Sequence, residues 1–147
     1  MPDNTSLTPA TNKDLNFIFQ CVVEFYSQNP YEIKTISDRK LKQAIVKLLK
    51  TKNNYYFIIK HNKQPVGILQ VMKTGKNKAE IILIYIRKEY RHKGIGEYSM
   101  KYILQWLKKK NIKYIKTEIN IHNKISQRFF NSLGFTKHSL IYTKNID

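Results

Sequence analysis

The sequence predicts an α/β (α+β) domain: a mixed, largely antiparallel central sheet of six to seven strands with helices on both faces, in the order (β)ααβββαβαβ. Three observations lead there. Segments with apolar residues at helical spacing alternate with short runs rich in β-branched and aromatic residues. Three of those short runs follow one another with only tight turns between them. The longest apolar run, Ile81-Ile-Leu-Ile-Tyr-Ile86, passes through "RKEYRHKGIG" directly into another helical segment.

Taken in order, a short strand is expected around Ser6–Thr8. A first helix follows near Asn12–Tyr26, with Leu15, Ile18, Phe19, Val22 and Val23 on one face and Thr11 or Asn12 as its cap. The loop "SQNPYEIKTIS" (27–37) leads to a second helix capped by Ser37, with Leu41, Ala44, Ile45, Leu48 and Leu49 as its buried stripe. Strands at 55–60, 66–73 and 79–87, joined by "HNKQP" and "TGKNK", form an antiparallel meander. A third helix over Gly94–Lys110 presents Ile95, Tyr98, Tyr102, Ile103 and Trp106 to the core, and Asn111 suits a left-handed cap. A strand at 114–121, a helix at 123–134 and a closing strand at 139–144 complete the order.

At 147 residues the chain reads as one domain, residues 1–147. Its 41% apolar content is too high for disorder. No apolar run approaches the ~18 residues of a membrane span, and the polar N-terminus lacks a signal-peptide core. With Cys21 as the single cysteine, no intrachain disulfide or cysteine zinc site exists, and His61, His92, His122 and His138 show no paired ligand spacing. No metal is expected, and a cytoplasmic location fits. The net charge of +17 favours anionic ligands. Only four of the 27 basic residues are arginine, however, and the lysines are spread along the whole chain. Nucleic acid is therefore not expected as the main partner.

The stretch "EYRHKGIGEYSM" (89–100) carries the chemistry. A Walker A loop fails, because Gly67 and Gly75-Lys76 are wrongly spaced and Asn77 follows the lysine. A Rossmann fingerprint is a weak match, because Ser99 stands where the third glycine belongs. What remains is R-x-x-G-x-G, Arg91 to Gly96, at the mouth of a helix. The first helical turn has unpaired N–H groups and a positive dipole end, glycines let phosphate approach the backbone, and Arg91 and Lys93 add charge. The bland alternative is a helix that happens to start at a glycine-rich turn.

This motif after a buried strand, together with "NKISQRFFNSLGF" (123–135), resembles the GNAT superfamily of N-acetyltransferases. That family's loop reads [QR]-x-x-G-x-[GA], and its later helix often reads N-x-x-[AS]-x-x-[FYL]-[YF]-x-x-x-G-F. Asn123, Ser126, Phe129, Phe130, Gly134 and Phe135 stand at matching positions. The resemblance spans roughly 5–145 and implies a GNAT-like fold that acts as an acyltransferase with acetyl-CoA as cosubstrate. It further implies that the backbone at Ile84, Tyr85 and Ile86 pairs with the pantetheine arm, with the amide near Ile86 polarising the thioester carbonyl. Arg91, His92, Lys93, Gly94, Ile95, Gly96 and Glu97 would hold the pyrophosphate, Asn123 would bond the pantetheine, and Phe130 would pack beside the thioester. A helix cap for Asn123 and a core place for the phenylalanines are the structural alternatives.

Acetyl transfer to an amine of pKa about 10.4 needs a proton acceptor. Glu80 stands where the histone-acetylating branch keeps its base; the alternative is a solvated strand-end residue, and Glu118 is a second candidate. Phe130 replaces the tyrosine that many relatives use as general acid, which leaves water, Tyr142 or Tyr85 for that task. The resemblance places the acceptor, an amine on a small molecule or a protein, between loop 27–37 and residues 136–142. Glu24, Glu32 and Asp38 lie near that loop. The overall charge argues weakly against polyamines and aminoglycosides. A non-catalytic CoA-binding or basic partner-binding module is the competing class, and a homodimer stays open.

Overall fold

The computed structural model describes residues 4–32 and 34–146. Its elements are β1 (Thr5–Pro9), α1 (Leu15–Gln28), α2 (Asp38–Leu49), β2 (Asn54–His61), β3 (Gln64–Gly75), β4 (Lys78–Ile86), α3 (Ile95–Lys109), β5 (Tyr114–Thr117) and α4 (Lys124–Ser132). The sheet has five strands in the order β1-β2-β3-β4-β5. The first four pair antiparallel and β5 runs parallel to β4.

Local chemistry sets the boundaries. Thr11 and Asp14 form a reciprocal capping box on a single 3-10 turn (Asn12–Asp14) that opens into α1. The Ser37 side chain accepts from the Lys40 N–H and starts α2. Asn62 and Lys63 both take positive φ, 50° and 66°, which gives the tight two-residue hairpin between β2 and β3. Asn111 takes φ 64° just after α3, the left-handed cap that its position suggests.

Two apolar layers sandwich the sheet. Ile18, Cys21, Leu41 and Ile45 of α1 and α2 pack on Tyr56, Ile58, Ile68 and Tyr85. On the other face Ile95, Met100, Ile103 and Leu107 of α3 and Phe130 of α4 pack on Phe57, Ile59, Leu69, Val71, Ala79 and Ile81. Strand β4 contributes Ala79 and Ile81 to that second layer, but then Ile84 and Ile86. The change of parity comes from a bulge: Gln70 of β3 stands opposite Leu83 while Val71 stands opposite Ile81, so Ile82 is the extra residue.

Four expectations need correction. The sheet has five strands rather than six or seven. The strand expected over 114–121 ends at Thr117, where β4 bulges and the two chains part; Asn120 Oδ1 then accepts from the His122 N–H and turns the backbone away. The closing strand expected over 139–144 is not formed, and Leu140, Ile141 and Tyr142 are exposed. A strand-forming sequence without a hydrogen-bonding neighbour stays irregular. On α3, Ile95 and Ile103 are buried and the half-buried Tyr98 and Trp106 pack against the core as expected, but Tyr102 is exposed, and Ser99, Met100 and Leu107 are buried as well. The rings of Tyr102 and Trp106 lie edge-on against Phe57 at 6.4 and 5.1 Å, covering the margin of the sheet.

Candidate active site

Strand β4 shares only its first residues with β5: Lys78 through Ile81 face Tyr114 through Thr117, and Thr117 Oγ1 donates to the Ile81 carbonyl at 3.0 Å. From Ile82 to Ile86 the strand has no neighbour on that side among the described residues. Which backbone groups face the gap follows from alternation. The Arg87 N–H donates to the Val66 carbonyl of β3 at 2.8 Å, so Arg87 and Tyr85 turn toward β3 while Ile86 and Ile84 turn toward the open edge. Of the three backbone positions expected there, Ile84 and Ile86 face the open edge and Tyr85 faces β3.

Close packing holds this strand end in place. A Cβ added at Gly67 would stand 2.2 Å from the Tyr85 carbonyl oxygen and 3.1 Å from Ile86 Cα, so only glycine lets β3 approach β4 this closely.

Beyond the open edge comes the glycine loop. His92 and Gly94 take positive φ, 62° and 77°, and Gly94 is the N-cap of α3 with no side chain bonded to the first-turn N–H groups. The 3-10 turn before α1, and helices α2 and α4, each have a capping side chain. The bare first turn of α3 therefore leaves the Ile95, Gly96 and Glu97 N–H groups without a side-chain cap, at the positive end of the helix dipole. Lys93 is exposed at the rim, and Glu97 is paired with Lys101 at 3.1 Å. Gly96 lies against α4, with Phe129 ring atoms 3.5 Å from where its Cβ would stand.

Arg91 goes elsewhere. Its Nε donates to the Ile86 carbonyl at 2.8 Å, its Nη2 to Gln28 Oε1 at 2.7 Å, and its guanidinium lies over the Tyr85 ring at 5.3 Å. Tyr85 in turn donates to Glu24 Oε1 at 3.0 Å, and Glu24 Oε2 takes Arg87 Nη2 at 3.3 Å, which also donates to Gln20. Sequence reasoning missed this cluster. The signal was present: Gln20, Glu24 and Gln28 recur at i, i+4 and i+8, a polar stripe on α1.

The other candidates separate clearly. Asn123 is the N-cap of α4, its side-chain oxygen accepting from the Ser126 N–H at 3.1 Å. Phe130 is buried between Phe129 and Phe135, with ring centroids 5.2 Å away on each side. Glu80 is a fifth exposed at the start of β4, with Lys116 Nζ 3.8 Å away; Lys116 lies 3.7 Å from the exposed Glu118. Burial and the hydrogen bond to Glu24 push the Tyr85 hydroxyl up to about 12, which makes it a poor proton donor. Tyr142 is almost fully exposed. Of the acceptor loop 27–37, Ile33 lies outside the described residues; Tyr31 stacks on His122 at 5.5 Å and accepts from Asn120 at 3.3 Å, so the loop meets the segment after β5. Among the described residues no group of His, Cys, Asp and Glu could hold a metal ion, and no helix is long and apolar enough to cross a membrane.

Comparison with known proteins agrees with this geometry. A crystal structure described as "a possible acetyltransferase" from Clostridium difficile 630 superposes with a TM-score of 0.81 at 19% identity, covering 97% of this chain and 98% of that one. The aminoglycoside acetyltransferase meta-AAC0020 from an uncultured soil metagenomic sample, in complex with sisomicin, gives 0.78 at 16% identity over 99% and 98%. The aminoglycoside N-acetyltransferase AAC(6')-Iy in complex with CoA gives 0.76 at 14% over 97% and 95%. These similarities show the fold. No curated protein matches the chain significantly. The model of the acetyltransferase (GNAT) family matches residues 17–135, from the first turn of α1 through the gap, the glycine loop and α4 to Phe135. With most of the chain matched and the family's two motifs flanking one open strand edge, the chain belongs to the acetyltransferase (GNAT) family.

Proposed function

We propose that the chain is an N-acetyltransferase that moves the acetyl group of acetyl-CoA directly to a primary amine on a small molecule or a protein. One observation carries the reading: the open edge of β4 leads straight to an uncapped helix N-terminus. An extended amide-bearing arm suits the edge, and a pyrophosphate suits the helix end.

In this reading the Ile84 and Ile86 backbones pair with the arm. His92, Lys93, Gly94, Ile95, Gly96 and Glu97 form the cradle for the phosphates. Asn123 keeps its oxygen in the helix cap and has its amide nitrogen left to donate to the arm. Phe130 shapes the floor beside the thioester from within the core. The amine attacks the thioester carbon, the C–S bond breaks, and the thiolate leaves with modest need of an acid, since a thiol titrates near ~8.5.

Geometry restricts how the catalytic roles combine. Six residues of strand separate Glu80 from Ile86, about 20 Å, too far to act on one carbon. Four residues separate it from Ile84, about 13 Å, a span that a glutamate side chain and bridging water can close. Glu80 as base therefore goes with the Ile84 amide as the carbonyl's partner. The Ile86 amide as partner goes with proton loss to water. A cytoplasmic location suits the chain's one cysteine, Cys21, which is buried and free.

The test is release of free CoA thiol in the presence of a panel of amines, with acetylated product identified by mass. Product formation is expected with at least one primary amine. CoA binding without turnover on any amine would favour a non-catalytic binding module on the same scaffold.

A further inference from the structure

We propose that Arg91 is a positioning residue: its guanidinium sets the free end of β4 through the Ile86 carbonyl and ties α1 to it. This assignment rests on the CoA reading and departs from a phosphate-binding role for the Arg91 side chain.

The Ile86 peptide is held from two sides. The residue after it is bonded to β3 through Arg87 N–H and Val66 O at 2.8 Å, and its own carbonyl is taken on the open edge by Arg91 Nε at 2.8 Å. With that carbonyl occupied, the Ile86 N–H is the group left for a ligand on the same edge. The second arm of the fork, Nη2, is held at 2.7 Å by Gln28, the last residue of α1. The Tyr85 ring under the guanidinium limits its swing. An arginine fork fixed by two acceptors and a ring face is pre-organised, and reorienting it toward a phosphate would leave the Ile86 carbonyl and Gln28 without these bonds. His92 and Lys93, both exposed, remain for the phosphates.

The neighbouring contacts repeat the pattern. Gln20 and Glu24 reach Arg87, and Glu24 reaches Tyr85, so each turn of one face of α1 grips the end of β4. Helix α1 runs into the loop at 29–37, which borders the expected acceptor side. Arg91 thus joins the acceptor-side helix to the donor-side edge.

The test compares two probes by calorimetry: CoA, and 3′-phosphoadenosine 5′-diphosphate, which carries the pyrophosphate but no pantetheine arm. The variant Arg91→Lys keeps the charge and loses the fork. A charged hydrogen bond is worth one to two powers of ten in an equilibrium, and only part is felt at the edge. The expected result is CoA binding weakened roughly tenfold with the nucleotide fragment within about twofold of the parent. Gln28→Ala should shift CoA in the same direction by a smaller factor, and the double variant should lose less than the two changes added. If Arg91→Lys does not fold, Gln28→Ala alone decides by the same contrast. Equal weakening of both probes would make Arg91 a phosphate ligand and overturn the proposal, as would no change in either. A parent protein that binds neither probe would overturn the CoA reading itself.

Discussion

Replacing Gly67 with alanine adds one methyl where the structure has no room. The new Cβ would stand 2.2 Å from the Tyr85 carbonyl oxygen and 3.1 Å from Ile86 Cα and Cδ1. The first contact is to backbone, so no side chain can swing away. Relief requires β3 and β4 to separate by about 1 Å, the difference from an ordinary carbon–oxygen contact. Overpacking of this kind costs about 1–3 kcal/mol. Stretching the Arg87–Val66 hydrogen bond, now 2.8 Å, adds about 1 kcal/mol. A loss of about 2–4 kcal/mol lowers the melting temperature of a chain this size by roughly 4–16 °C. The same movement shifts Ile86 at the open edge, so CoA affinity should fall even where the protein is fully folded. Thermal melts followed by calorimetry at a temperature below the transition check both parts. A variant that melts within about 2 °C of the parent and binds CoA unchanged would refute the claim that Gly67 holds the β4 edge in place.

Glu80→Gln keeps size and hydrogen bonding but loses basicity; if Glu80 is the base, kcat drops roughly 10²–10⁴-fold with CoA affinity nearly unchanged, whereas parental turnover would hand the proton to Glu118 or water. Cys21, Tyr56 and Tyr85 are all pushed up to about 12 from 9.0, 10.0 and 10.0, burial being the first cause in each. They favour the protonated native state, so their contribution is full below pH 9–10 and drains as pH rises toward 12, by up to about 1.4 kcal/mol per unit per group. Urea midpoints at pH 8, 10 and 11 should fall accordingly, and a flat series would contradict the burial of these groups. The positive field should make CoA binding weaken with salt without supporting a tight complex with duplex DNA or RNA at physiological salt; such a complex, measured by anisotropy, would reverse the ranking of partners.

Local signals carried most of the fold. Thr11, Ser37, Asn111 and Asn123 act as the caps their positions suggest, because capping depends on a few neighbouring backbone groups. The meander was legible from its turns and alternating faces. The bulge at Ile82 was not, because it appears only when β4 is laid against β3, and it decides which side chains face which layer. Tyr98 and Trp106 pack against the core as their helical period suggests, whereas Tyr102 shares that period yet is exposed, its ring edge-on to Phe57. The sequence at 139–144 has strand composition, but pairing needs a neighbour that composition does not supply. At the site, the glycine loop was legible as a motif, whereas the direction of Arg91 depended on Gln28, 63 residues away.

The most direct test of the site is an NMR titration of the labelled protein with CoA, read at the backbone amides. The account predicts the largest changes at Ile84 and Ile86 and at Gly94 through Glu97, with Tyr85 and Arg87, whose backbones face β3, moving less. A groove of about 510 Å³ runs from the N-terminus of α3 along that helix: Lys93, Gly94 and Glu97 line its start, and Tyr98, Lys101, Tyr102, Gln105, Trp106 and Lys109 line the rest. Changes concentrated on its far part, at Lys101, Tyr102, Gln105, Trp106 and Lys109, with Ile84, Ile86 and Gly94 through Glu97 unmoved, would contradict the assignment of the cofactor site.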